Sequence, residues 1–218
     1  MALANPLGIA SFADLLETAT CVFRPMWMQE SSGTGGGELL YADRAPMRWQ
    51  VEVTTAPMSN ADAMAIMALV NSRGGGLKTF LLYDKRAAYP STDPTGSIFG
   101  SATPEIGTIT DRLHIAFTGF PAAYVVPLGT YFSVVDGDGR RYLGQFAEAK
   151  TADGSGAISA TEITPALPAA FATADAVTVI KPTAKFKIVP NSAYAPATTL
   201  TEATVTFQAE STYEADPA

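Results

Sequence analysis

The sequence predicts a mainly β chain that carries one α-helix and is interrupted by a second, smaller β unit; three observations predict it. Met47 to Thr54 alternates strictly, with Met47, Trp49, Val51 and Val53 on one face and Arg48, Gln50, Glu52 and Thr54 on the other, the pattern of a half-buried strand. Only one segment, Ala61 to about Ser72, spaces its apolar residues three and four apart as a helix does. From about residue 100 to 189, short β-branched and aromatic runs alternate with turn signals, the spacing of a small barrel or sandwich.

Ser11 is placed to cap a short helix over Phe12 to Leu16, and Thr18 to Arg24 reads as a strand by its β-branched and aromatic content. Pro25 interrupts it. Met26 to Glu30 then resumes as a second extended piece carrying Trp27, and Ser31 to Gly37 is a flexible loop or a wide hairpin connection. After the alternating strand, Ser59 stands at the N-cap of the helix with Asp62 in its first turn, where an acid favours the helix dipole. Arg73-Gly-Gly-Gly76 stops the helix, glycine supplying the left-handed geometry of its end. Leu77 to Tyr83 is apolar on both alternations apart from Lys78, which calls for a strand in mid-sheet or one whose face a neighbouring chain covers.

Asp84 to Ser101 is a long connection rich in Pro, Gly, Ser and Thr, and marks a domain boundary. Beyond it strands are expected over Ile106 to Phe117, Tyr131 to Val135, Arg140 to Phe146, Ala157 to Ile163, Val177 to Ile180 and Ala184 to Val189. Asp136-Gly-Asp-Gly139 between two of them is the strongest hairpin signal in the chain. The last alternating run, Ala203 to Ala209, returns to the first sheet. Residues 1–99 and 190–218 thus form one β domain with its helix at about 60–72, and residues 100–189 an inserted small β domain.

Composition removes several classes of function. With 218 residues and 47% hydrophobic content the chain is long enough to bury a sizeable core. Only 16% of residues are charged, below the usual quarter, and hidden intersubunit surface explains such a depletion, since interface cores are poor in charge. Fourteen Lys and Arg against 21 Asp and Glu leave a net charge of −7, and no basic cluster exceeds Arg140-Arg141, so phosphate-neutralising contacts to nucleic acid are not expected. Acids are uneven: Asn191 to Ala218 holds four and no base, whereas residues 101–190 hold eight acids and seven bases. The single cysteine, Cys21, excludes an internal disulfide framework and suits a reducing compartment. No apolar run reaches the roughly 18 residues of a membrane span, and the start lacks the cationic segment of a signal peptide, so neither membrane insertion nor secretion by that route is expected.

Motifs that could carry chemistry read more simply as structure. Arg73-Gly-Gly-Gly-Leu-Lys78 runs from helix to strand, the reverse of a phosphate-binding loop. Asp136 and Asp138 open like a calcium loop, but Arg140, Arg141 and Ala147 stand where further ligands are needed. His114 is the only histidine, so a histidine-based metal site or a dyad with Cys21 has little support. Trp27, Trp49, Tyr83, Phe117, Phe120, Tyr124, Tyr131 and Phe132 could stack on sugars, yet aromatic residues in strands more often pack a core. Catalytic, cofactor-binding and metal-ligating residues are therefore assigned to none.

The stretch Arg48-Trp-Gln-Val-Glu-Val-Thr-Thr-Ala-Pro-Met-Ser-Asn60, the Ala-rich helix, Arg73-Gly-Gly-Gly, Leu77-Lys-Thr-Phe-Leu-Leu-Tyr-Asp84 and Tyr89-Pro90 together resemble distal tail proteins of long-tailed bacteriophages, especially those of phages and prophages of alphaproteobacteria. The later segments Pro127 to Phe132, Tyr142-Leu143, Thr151 to Gly156 and Ile180 to Phe186 are similar to the inserted β domain of such proteins. The resemblance covers about three quarters of the chain and fits Leu15 to Trp27 loosely and Pro190 to Thr199 hardly at all. It implies a β-sandwich belt domain with one helix, six copies closing into a ring, and an inserted domain projecting outward. It also implies a structural place at a virion tail tip, assembled in the host cytoplasm, between the tail tube protein and the tail hub and receptor-binding proteins. DNA would pass without specific binding, and no enzymatic activity or cofactor is implied. For the subunit interface the candidates are the strand Leu77 to Tyr83, with Leu77, Phe80 and Leu82 foremost, and the glycine-rich loop Ser31 to Gly37. The alternative is a carbohydrate-binding or host-recognition module carried by the inserted domain.

Overall fold

The computed structural model describes residues 3–217. The first unit opens with strands β1 (Thr18–Gly33) and β2 (Leu39–Thr55), the two-residue β3 (Met58–Ser59), helix α1 (Asn60–Asn71) and β4 (Phe80–Leu82). The inserted unit follows with β5 (Glu105–Ile109), β6 (His114–Thr118), β7 (Val125–Val126), β8 (Tyr131–Val135), β9 (Arg141–Phe146), β10 (Lys150–Thr151), β11 (Ile158–Thr164) and β12 (Ala176–Thr178). The chain then returns through β13 (Ala184–Ile188), β14 (Glu202–Ala203) and β15 (Thr206–Thr212). The fold class is the expected one, mainly β with a single α-helix.

The main sheet has the order β1-β2-β15-β13-β4 and is antiparallel throughout. One face buries Phe23, Trp49, Val51, Phe80, Phe186 and Phe207. Against it α1 presents Ala63, Ile66 and Val70, spaced three and four apart as a helical stripe requires. The helix begins as its sequence dictates: the Ser59 hydroxyl accepts the amide N–H of Asp62 at 3.2 Å. It ends before Gly74 and Gly75, both in the left-handed region at φ 63° and 64°.

Several expectations are corrected. Pro25 does not interrupt β1, which runs 16 residues. The strand lies at the sheet edge and Pro25 pairs with Trp49, whose own amide N–H points away from β1, to the Ser211 hydroxyl at 2.8 Å. Pro25 therefore sits in a non-hydrogen-bonded pair, with its missing donor on the open side. Strand β4 is confined to three residues, because a 3-10 turn takes up Gly75–Leu77. Ile106 to Phe117 is a hairpin, β5 and β6, whose turn is held by the Asp111 carboxylate accepting the amides of Leu113 and His114. The segment assigned to the insert at Ala184 to Val189 is β13, which pairs with β15 and β4 inside the main sheet. The insert thus ends near Lys181, and Pro182 and Thr183 lead back to the sheet.

Within the insert, β11-β6-β5-β12-β8-β9 close into a barrel. Its interior is aromatic: Phe117, Phe132 and Phe146 stand with ring centroids 4.7 to 5.4 Å apart in tilted and edge-on arrangements. Gly144 makes room for the Tyr142 ring, since a Cβ there would lie 2.6 Å from the Tyr142 hydroxyl.

The two units share a joint. Strand β9 turns Tyr142 and Phe146 into the barrel and Leu143 outward into the core of the sheet. The Trp49 indole Nε1–H donates to the Leu143 carbonyl at 2.8 Å, in a buried bond, and Tyr131 of β8 packs edge-on against the same indole at 5.6 Å. The C-terminal segment adds a strap. Tyr213 donates its hydroxyl to the Met47 carbonyl, the Asp216 amide donates to the Asp138 carbonyl, and the Asp216 carboxylate pairs at 2.6 Å with Lys185, which is only 1% exposed. Gly139 admits that carboxylate, because a Cβ would fall 2.1 Å from it.

Trp49→Phe keeps a ring in the joint but leaves the Leu143 carbonyl buried without a donor. The variant is expected to lose about 1–3 kcal/mol in urea unfolding, and an unchanged midpoint and slope would show that the bond does not hold the units together.

Candidate interaction surface

The groups best suited to chemistry are occupied by structure. The Asp136 carboxylate accepts the amides of Asp138 and Arg140 and the Arg140 guanidinium at 2.7 to 3.0 Å, so its oxygens serve the hairpin. The Asp153 carboxylate likewise accepts the Ser155 and Ala157 amides and the Ser155 hydroxyl, and these bonds hold it below its ordinary pKa. Among the described residues no three of His, Cys, Asp and Glu gather as a metal site. His114, on the barrel, faces the Asp111 carboxylate at 2.9 Å, while Cys21 lies in the core of the sheet. Burial pushes the Cys21 thiol up to about 12, which removes the thiolate on which nucleophilic chemistry depends.

Arg73, first in the glycine-rich turn, is fully buried and its donors face the chain itself. Its guanidinium donates to the Ala4 carbonyl at 2.9 Å and to the Ser72 hydroxyl at 3.1 Å, and burial lowers its pKa. It thereby pins the N-terminal segment along β4. Asn5 Oδ1 accepts the Thr79 amide at 2.9 Å, and Leu7 forms a parallel bridge to Phe80, with the Leu81 amide donating to the Leu7 carbonyl. The β4 edge of the sheet is therefore covered by the chain itself, while the β1 edge is left open. Nearby, Asp14 accepts the Tyr83 hydroxyl at 2.7 Å and both its oxygens take Lys181 at 3.2 Å. The Tyr83 bond is the main reason that its carboxyl sits below the ordinary value.

The three residues assigned to a subunit interface part company. Leu77 is 82% exposed, but Phe80 and Leu82 are 0% and 1% exposed, packed in the core of their own chain. The assignment of Phe80 and Leu82 is corrected: their face is filled by the chain's own core, Phe80 packing against Phe12 at 4.9 Å and against Phe186 and Phe207 at 6.2 Å, so no neighbour is needed. The aromatic residues weighed as a sugar platform also turn inward. Trp49, Tyr83, Phe117, Phe120, Tyr124 and Phe132 are buried, Tyr131 is half-buried, and of that set Trp27 alone is exposed.

Of three surface features, the first contains the glycine loop Ser31 to Gly37 that is a subunit-contact candidate, and the other two were not assigned from sequence. The distal half of the β1–β2 hairpin is an arm on which every residue from Gln29 to Arg44 is exposed, Leu39, Leu40 and Tyr41 among them. It is laced by Gln29 to Asp43 at 2.8 Å and Arg44 to Glu30 at 2.7 Å, and closed by the Thr34 amide donating to the Glu38 carbonyl. The run Leu39-Leu40-Tyr41 beside a glycine loop was its signal. Helix α1 also shows an outer face of Ala61, Met64, Ala65 and Ala68, apolar where a surface helix is usually polar. Between α1 and the 3-10 turn Ala13–Leu15 lies an apolar groove of about 370 Å³. No family model matches the sequence, and no curated protein matches it either.

The burial contrast has a direct consequence. Phe80→Ala should cost about 3–5 kcal/mol of folding stability and Leu77→Ala no more than about 0.5 kcal/mol, both read from chemical denaturation of the purified chain; equal losses would contradict the assignment.

Proposed function

We propose that the chain is a structural subunit of a phage-like tail tip, a ring adaptor of six copies between the tail tube and the hub and receptor-binding proteins. The observation that carries this reading is the way the ordered motif set lies in one unit. Trp49 and Val53 stand on β2, Pro57-Met58-Ser59 leads into α1, the glycine turn ends that helix, and Phe80 to Leu82 is β4 of the same sheet. The barrel leaves this unit after β4 and returns at β13, where the resemblance implies an inserted domain.

Surface and charge favour the same reading. The sheet has one open edge and one covered edge, so it offers a polar direction for assembly rather than two equivalent sides. Both units are acidic, the barrel unit with eight acids against five bases and the rest with 13 against nine, and an acidic channel lets DNA pass without adhering. The carbohydrate alternative draws no support from stacking groups, because the aromatic residues of the barrel fill its interior.

Purified protein is expected to sediment at six times the 22.8 kDa of one chain and to appear as a closed ring with a central hole in electron micrographs. A stable monomer at every concentration would overturn the reading.

A further inference from the structure

We propose that Leu77 and Lys78 of one copy seat in the groove between α1 and the Ala13–Leu15 turn of the next copy, and that this head-to-tail contact, repeated, builds the ring; the inference rests on the ring reading above.

The projecting part is Leu77. It is 82% exposed and is presented by Gly74 and Gly75, whose left-handed conformations turn the chain outward directly after the helix. Its side chain lies over Gly74, where a Cβ would stand 3.4 Å from Leu77 Cδ1, so the glycine leaves the leucine its place. Lys78, beside it, is exposed and forms no salt bridge among the described residues.

The receiving part has the complementary chemistry. Leu15, Met58, Ile66 and Leu69 give the groove an apolar floor, and its only charged lining groups are the acids Glu17 and Asp62. An apolar side chain with a cation next to it meets an apolar slot with two acids on its rim. Such complementarity fixes orientation and partner choice more than bulk affinity. The apolar outer face of α1 adjoins the groove and is covered by the same approach, which accounts for a helix with so little polar surface.

Position sets the symmetry. The groove lies along α1 from Asp62 to Leu69, whereas Leu77 follows the helix at its far end. A copy that inserts its own Leu77 still offers its groove, so the contact is heterologous and propagates until it closes. The covered β4 edge cannot supply a sheet-to-sheet alternative on that side.

The test uses full-length Leu77→Cys and Ala65→Cys variants, both substitutions being at exposed positions, with Ala65 lining the groove. The native Cys21 is buried and silent. Mixed and mildly oxidised, the two variants should form a 77–65 intermolecular disulfide, each alone should stay uncrosslinked, and the double variant should give a ladder ending at a closed hexamer. Lys78→Glu should weaken assembly by about tenfold, and adding Glu17→Lys should restore it. Rings that form without the 77–65 crosslink overturn the contact and leave the ring reading standing, as does dimerisation of Leu77→Cys alone. Crosslinked chains that never close support the contact and overturn the ring reading.

Discussion

The indole of Trp49 belongs to the main sheet, yet its one hydrogen bond goes to the barrel. That bond, to the Leu143 carbonyl at 2.8 Å, lies in a contact where Tyr131 and Leu143 complete a core that the sheet and α1 leave open at one end. A carbonyl buried there without a donor would cost more than the bond itself nets, so the joint constrains both sides at once. Strands β8 and β9 must turn one set of residues into the barrel and another out toward the sheet. Period-two alternation lets them do so: Phe132 and Tyr142 face in, Tyr131 and Leu143 face out. The Lys185–Asp216 pair then holds the C-terminal strap across the same junction.

This constraint organises the outer surface. With the barrel fixed on one part of the core face and α1 on another, the sheet can extend only at its edges and along its arm. The N-terminal segment closes the β4 edge through Asn5, Leu7 and Arg73, so one side of the sheet is finished within the chain. The open β1 edge carries Pro25 and the Arg24–Glu52 pair, features that discourage indiscriminate strand pairing. Exposed apolar groups then include Leu39, Leu40 and Tyr41 of the arm, the outer face of α1 and its groove, and Leu77, beside Leu128 and Leu200. A low charge content, which the sequence expresses as a global number, is expressed in the fold as these particular patches.

Much of the architecture was legible from periodicity and capping. The strict alternation of Met47 to Thr54 and the Ser59–Asp62 cap are local signals, and local geometry follows from them. Pro25 misled because its effect depends on whether a strand is at an edge, which is a property of the whole sheet. Ala184 to Ile188 misled because nothing within five residues tells which of two units will hydrogen-bond to them; Lys185, buried at 1% exposure, even argues for solvent until Asp216 is found beside it. Phe80 and Leu82 were read correctly as needing cover on both sides, but the cover came from residues some 70 positions earlier and 100 later. The groove had no linear signature, since Leu15, Met58 and Ile66 meet only after the 3-10 turn Ala13–Leu15, β3 and α1 have packed. Of Leu77, Phe80 and Leu82, Leu77 alone stood at the surface, set there by two left-handed glycines.

If the joint is as central as the geometry makes it, sheet and barrel are one cooperative body. Differential scanning calorimetry of the purified chain measures this most directly. The account predicts a single transition whose calorimetric enthalpy equals its van't Hoff enthalpy. Two resolved transitions, one for each unit, would contradict it.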